Sequence, residues 1–99
     1  MLHGGLVRCH PEFEGARDAA RFAVENHNEF QGTNLLFKRV VKANAVLVRG
    51  LLLFITLQTC DGSFYEAKVL SKFIHPQPSD DKSCEFTVHF FGPAIHYKG

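Results

Sequence analysis

The stretch PEFEGARDAARFAVENHNEF, residues 11 to 30, has the spacing of an amphipathic helix. One face of that helix would carry small apolar side chains and a histidine, namely Ala16, Ala19, Ala20, Ala23 and His27. Acidic residues near its start suit the positive end of the helix dipole, and the Asn and Gly residues of NHNEFQGTN are typical of a helix end. The sequence therefore predicts a helix over roughly residues 13 to 29.

From Leu35 onward the apolar residues recur with a period of two, which is typical of strands. The predicted strands are LLFKRVVKA at 35–43, LLLFITLQTC at 51–60, FYEAKVLSKFI at 64–74 and CEFTVHFFG at 84–92. The Asp-Gly turn CDGS, residues 60 to 63, joins two of them, and a short strand near residues 6 to 9 precedes the helix. The expected fold is therefore α+β, with an antiparallel sheet of four to five strands wrapped around one long N-terminal helix.

Alternation within the last two strands predicts which side chains share a face of the sheet. In the first of them Tyr65, Ala67, Val69, Ser71 and Phe73 are expected on one face, and Glu66, Lys68 and Lys72 on the other. In the last strand Phe86, Val88 and Phe90 are expected on one side.

The connection KANAVLVRGLLLF, residues 42 to 54, is unusually apolar for a hairpin. Its expected tip is Val46-Leu47-Val48, where polar turn residues are the rule. Folding alone gives no reason to leave three aliphatic side chains in water, so such a tip indicates an interface. The alternative is that the turn lies at residues 42 to 44 and that the three residues are enclosed in strands.

Length and charge exclude several classes of protein. The 99 residues suit a single domain, 1–99, with residues 1–5 as a flexible arm. A net charge of +1, with 11 basic and 10 acidic residues scattered along the chain, argues against nucleic acid as a partner. The sequence has neither a membrane-spanning stretch nor a visible signal peptide, so a membrane partner is not expected. The sequence leaves the location open between cytoplasmic and, if a signal peptide has been removed, secreted.

The cysteines and histidines do not form a recognisable reactive site. Cys9, Cys60 and Cys84 lack a Cys-x-x-Cys pair, and we expect three free thiols. The six histidines have no metal-ligand spacing, so neither a metal nor another cofactor is expected. A thiol nucleophile would need Cys9 with His10, or Cys84 with His75 or His89, and adjacent strand residues point to opposite faces. No catalytic residues are assigned, and an enzyme is not expected.

The helix sequence AARFAVENHN, residues 19 to 28, closely resembles the signature of the plant cystatins, which are protein inhibitors of papain-like cysteine proteases. That signature reads Leu-Ala-Arg-Phe-Ala-Val followed after a short variable stretch by Asn, and Ala19 replaces its leucine. LLFKRVVKA and FYEAKVL resemble the next two conserved blocks of the family, in the same order. The resemblance covers residues 4 to 91.

The resemblance implies a binding edge made of three segments. Its N-terminal glycine falls on Gly4 and Gly5, and its Gln-x-Val-x-Gly hairpin falls on Val46, Leu47, Val48, Arg49 and Gly50. Its Pro-Trp pair falls on Phe73 and Ile74, although a slip of two residues would bring Pro76 near. Val46 therefore stands where the family has Gln, and the chain contains no Trp.

The function implied is reversible inhibition, tight or weak, of a papain-like cysteine protease by a wedge that fills the active-site cleft. The alternative is a protein of the same fold that has lost inhibition and acts as a binding or structural module. The changes at positions 46 and 74 favour this alternative. The retained Gly4, Gly5, Val48 and Gly50 favour inhibition. A monomer is expected, with a domain-swapped dimer left open.

Overall fold

The computed structural model describes residues 7–9, 14–73 and 84–95. Its elements follow the order β1 (Val7–Cys9), α1 (Glu14–Gln31), β2 (Phe37–Val48), β3 (Gly50–Thr59), β4 (Phe64–Phe73) and β5 (Cys84–Pro93). The strands form one sheet in the order β1-β2-β3-β4-β5, with every neighbouring pair antiparallel. The predicted α+β architecture is confirmed, with five strands and one helix across them.

The helix packs on the sheet through its smallest side chains. Ala16, Ala19, Ala20 and Ala23 are completely buried, as the spacing predicted. Because an alanine projects so little from the helix, α1 approaches the sheet closely, and the larger side chains of the core come from the strands. The largest of these, fully buried, are Leu53, Leu57 and Val69.

The end of α1 is fixed by Asn28. Its backbone carbonyl accepts hydrogen bonds from the amides of Gly32, at 2.8 Å, and Thr33, at 3.2 Å. Its side chain also binds Leu35, with Oδ1 accepting from the backbone N–H and Nδ2 donating to the carbonyl, both at 2.9 Å. These bonds tie the helix end to the start of β2, and they explain why α1 runs to Gln31 rather than stopping at residue 29.

The last strand differs from its predicted alternation. Phe86 and Val88 pack against the core as expected, but Phe90 is 51% exposed and Phe91 packs inward in its place. The cause is a β-bulge: Lys68 pairs with Phe90 while Val69 pairs with Val88, so His89 is an extra residue. The prediction that Phe90 shares a face with Phe86 and Val88 is therefore wrong.

The bulge has consequences on both faces of the sheet. On the inner face Phe91 stacks on His27, with ring centroids 4.5 Å apart, and on Tyr65 at 5.2 Å. On the outer face the Phe90 ring covers Gly92, where an added Cβ would come within 2.9 Å of the ring. His27 is thus a packing residue of the helix face, as the sequence predicted.

The remaining sequence predictions concern the thiols and the membrane. Cys60 is a free, exposed thiol, and the register places Thr59 and Cys84 at opposite ends of the sheet. The side chains of Cys9 and Cys84 lie outside the described residues. Within the described part of the chain, no helix combines the length and apolar character needed to cross a membrane.

Candidate functional site

The hairpin formed by β2 and β3 ends in a very tight turn. The two strands pair continuously from Ala43–Ile55 to Val48–Gly50, and Arg49 alone lies between the last pair. The alternative turn at residues 42 to 44 is wrong, because Lys42 and Asn44 pair within the sheet. The expected tip at 46–48 is also displaced, since those residues belong to β2 and the turn lies at Arg49. Residues 46–50 are here called the apical segment.

Two aliphatic side chains of the apical segment are exposed to solvent. Leu47 is 67% exposed and Val48 is 49% exposed, whereas Val46 is half-buried. Leu47 has the same strand parity as Ala43 and Ala45, which are buried in the core beside the helix alanines. The core thus ends before Leu47, and the hairpin continues beyond it with apolar side chains in water.

Gly50 lets the hairpin lie close against β4. Its φ is +126°, a conformation that other residues rarely adopt. A Cβ at this position would come within 2.6 Å of the backbone oxygen of Ser71 and 3.0 Å of Cγ of Lys72. The glycine of the expected hairpin pattern is therefore required by the backbone and by the neighbouring strand.

The N-terminal glycines, Gly4 and Gly5, lie outside the described residues. The start of β1 is nevertheless placed, because Val7 pairs with Ala45, two positions before Leu47. The chain therefore joins the sheet beside the apical segment.

The second predicted loop is described only at its beginning. Phe73 pairs with Cys84 at the end of β4, which is the same end of the sheet as the apical segment, but its side chain and all of Ile74 lie outside the described residues. Of the nine residues predicted for the binding edge, the structure places the five of the apical segment together, with the Phe73 backbone at the same end.

Sequence reasoning missed Lys72 as a neighbour of the hairpin turn. Its stem lies against Gly50 and its side chain is exposed. No sequence pattern identifies this contact, because it depends on the pairing of Leu51 with Ser71 across β3 and β4.

The described residues contain no group of three or more His, Cys, Asp and Glu side chains placed to hold a metal ion. Cys60 lies at the other end of the sheet, where its Sγ is 3.8 Å from the carbonyl oxygen of Phe37. An open groove of about 290 Å³ crosses the outer face of the sheet near Phe54, where the Lys68 ammonium lies 5.6 Å from the ring centroid. It is lined mostly by strand side chains away from the apical segment, and we assign it no role in the site.

Comparison with known proteins gives a consistent result. A family profile described as "Cystatin domain" matches residues 4–90. The chain is 41% identical over 75 residues to "Cysteine proteinase inhibitor 3" of Oryza sativa subsp. japonica, an alignment covering 73% of this chain and 41% of that protein. It is 36% identical over 77 residues to "Cystatin-1" of Zea mays, covering 73% and 57%. It is 41% identical over 77 residues to "Cysteine proteinase inhibitor 3" of Arabidopsis thaliana, covering 73% and 62%. The chain thus spans about half the length of these relatives.

Proposed function

The chain belongs to the cystatin family, and we propose that it is a reversible inhibitor of papain-like cysteine proteases that fills the active-site cleft without reacting there. The names of its relatives from rice and Arabidopsis support the class of target. A protease inhibitor of this kind is a binding protein and not an enzyme, and it needs no cofactor.

The observation that carries the proposal is the exposure of Leu47 and Val48 at the end of a hairpin whose strands pair continuously from Ala43 to Val48. Moving one such side chain from water into an apolar site stabilises a complex by about 1.5–3 kcal/mol. The strands already fix the backbone, so little conformational entropy is lost on binding. The apical segment is therefore suited to entering a cleft as a preformed wedge.

The same geometry supports a mechanism in which the inhibitor is not cleaved. A protease acts on a peptide bond only when the reacting atoms are held close together and correctly aligned. In the apical segment the chain reverses at Arg49, between the paired residues Val48 and Gly50, and Gly50 has a φ of +126°. Such a turn occupies the cleft without presenting an extended peptide to the catalytic cysteine.

Two further segments are proposed to flank the wedge. Gly4 and Gly5 precede β1 in the sequence, and β1 begins beside Ala45. Phe73 ends β4 at the same end of the sheet, and Ile74 follows it in the sequence. The absence of Trp from the chain and Val46 in place of Gln remove an aromatic anchor and polar contacts of the family pattern. An aromatic anchor often contributes about 2 kcal/mol or more, so the affinity is expected to be lower by roughly tens to thousands of fold.

Titration of papain with the purified protein tests the proposal. We expect residual activity to fall with increasing inhibitor, to return after dilution, and the recovered inhibitor to have an unchanged mass. Cleavage of the chain within the apical segment, or papain activity that is unaffected while the protein is folded, would contradict the proposal.

The second candidate is a cystatin-fold protein that binds another partner without inhibiting proteases. Val46 and the chain's lack of Trp are the observations that favour it, since both changes fall on the expected contact edge. Full papain activity at high concentrations of folded protein is the result that separates this candidate from a weak inhibitor.

A further inference from the structure

Arg49 stands alone at the apex of the hairpin. It is exposed and is the single residue between the paired Val48 and Gly50. Among the described residues it has no hydrogen-bond or ion-pair partner. Two other arginines contact neighbouring side chains: Arg39 Nε donates to Gln58 Oε1 at 2.9 Å, and the Arg21 guanidinium lies 5.5 Å from the centroid of the Phe37 ring.

A second cation at this end of the sheet has a carboxylate opposite it in the strand pairing. Lys72 lies against Gly50, but it pairs across β4 and β5 with Glu85, so a carboxylate faces it on the neighbouring strand. Opposite charges in such a cross-strand position attract each other. Arg49 has no acidic residue opposite it, because it lies in the turn between the paired Val48 and Gly50.

The position of Arg49 brings this charge into any cleft that takes in Val48. Consecutive Cα atoms lie about 3.8 Å apart, so Val48 cannot enter a cleft deeply without bringing Arg49 with it. A guanidinium that loses water without gaining a partner is strongly unfavourable. A carboxylate in the cleft would instead accept two parallel hydrogen bonds from the planar guanidinium of Arg49.

We propose that Arg49 selects among papain-like cysteine proteases in favour of those with an Asp or Glu in the active-site cleft where the hairpin apex comes to rest. This inference rests on the proposed inhibitory function and adds a class of target to it. Proteases with a neutral or basic cleft at that point are bound less well, because they leave the guanidinium desolvated or repelled.

Double-mutant cycles with papain test the inference. The inhibitor and its Arg49→Gln variant are titrated against papain and against papain variants in which single neutral residues of the cleft wall are replaced by Asp. For each papain form we compare the inhibition constant of Arg49→Gln with that of the unchanged inhibitor. For at least one Asp variant of papain, this ratio should be about tenfold larger than for unmodified papain. Arg49→Glu should reverse the preference at that same position, and the advantage should shrink as salt is raised.

Arg39→Gln is the matched control. It removes the same charge from an exposed arginine near the other end of the hairpin, where Arg39 pairs with Gln58. Its inhibition constants should match those of the unchanged protein for every papain variant. The double-mutant cycle measures only the coupling between position 49 and the introduced carboxylate. Both inhibitor forms share the charges of the segment 74–83, which lies outside the described residues, so these charges cancel from the coupling.

The outcomes separate the inference from the proposed function. Inhibition by both the unchanged protein and Arg49→Gln, with no coupling to any introduced carboxylate, would overturn the role of Arg49 and leave the inhibitory function intact. No inhibition by any form of the protein would overturn the function itself. Equal coupling for Arg39→Gln and Arg49→Gln would reduce the effect to net charge and would also overturn the inference.

Discussion

The two hairpins of β3 are closed in different ways. At the β3–β4 turn the Thr59 amide donates to the Ser63 carbonyl at 3.0 Å, and Asp61 Oδ1 accepts from Thr59 Oγ1 at 2.6 Å and from the Ser63 amide at 3.0 Å. At the β2–β3 turn the apical segment ends in Arg49, with Leu47 and Val48 in solvent. One turn satisfies its own polar groups, whereas the other leaves apolar surface for a partner.

Both turns contain a glycine with positive φ, and the comparison separates two uses of that residue. Gly62, at φ +90°, has nothing within 4 Å of the place where a Cβ would stand. Gly50, at φ +126°, has the Ser71 oxygen 2.6 Å from that place. The first glycine serves only the local conformation, while the second also permits close packing between strands.

The largest expected effect comes from placing a charge on the apolar part of the apical segment. Leu47→Asp should abolish papain inhibition, because the complex must either bury an unpaired carboxylate or leave the hairpin withdrawn, at a cost of several kcal/mol. The melting temperature should hold, since Leu47 is 67% exposed in the free protein. Inhibition constants and thermal unfolding measured on the same samples give both values.

Leu36→Asp is the matched control for this prediction. Leu36 is also 67% exposed, but it precedes β2 at the other end of the sheet, where its carbonyl accepts a hydrogen bond from the Cys60 amide. We expect its inhibition to be unchanged. Equal losses in the two variants would mean that the apical segment is not the contact surface.

The second prediction contrasts the two glycines through stability. Gly50→Ala should lower the free energy of unfolding by about 3 kcal/mol or more, because the strained φ is combined with a clash against backbone. Gly62→Ala should cost only about 1–2 kcal/mol, the conformational term alone. Denaturant unfolding of the two variants measures both losses, and similar losses would show that Gly50 is not crowded by β4.

The sequence was sufficient to predict the helix and most of the sheet, since alanine spacing and strand alternation reflect burial directly. It failed at His89, because a single bulged residue exchanges the faces of Phe90 and Phe91 without changing the composition of the strand. It also failed to place the turn at Arg49. The apolar run from Val46 onward shows that the segment is unusual, but only pairing with Leu51 and Leu52 fixes where the chain reverses.

The third prediction concerns variants that should strengthen binding to the protease instead of weakening it. Val46→Gln combined with Ile74→Trp would restore the two contacts that the family pattern has and this chain lacks. Papain inhibition should tighten at least tenfold, which corresponds to about 1.4 kcal/mol. Unchanged inhibition constants in a folded double variant would argue against a contact edge formed by positions 46 and 74, and would favour the non-inhibitory candidate.

The smallest effect is expected at the β3–β4 turn. Hydrogen bonds from the Thr59 hydroxyl and then from the Ser63 amide lower the pKa of the Asp61 carboxyl below its ordinary value of 3.8. A carboxylate whose pKa is lower in the folded than in the unfolded state stabilises the fold above the unfolded value, and this contribution is lost as pH falls through the folded value. Asp61→Asn keeps an oxygen acceptor but not the charge, so it should be slightly less stable than the unchanged protein at neutral pH. Because Asp61 is exposed, the stability difference is small, and it should disappear in denaturation midpoints measured well below pH 3.8.

Papain inhibition at neutral pH should not change, since this turn lies at the far end of β3 from the apical segment. A stability difference that is constant with pH would show that the charge of Asp61 does not hold the turn, and a loss of inhibition would break the division of roles between the two turns.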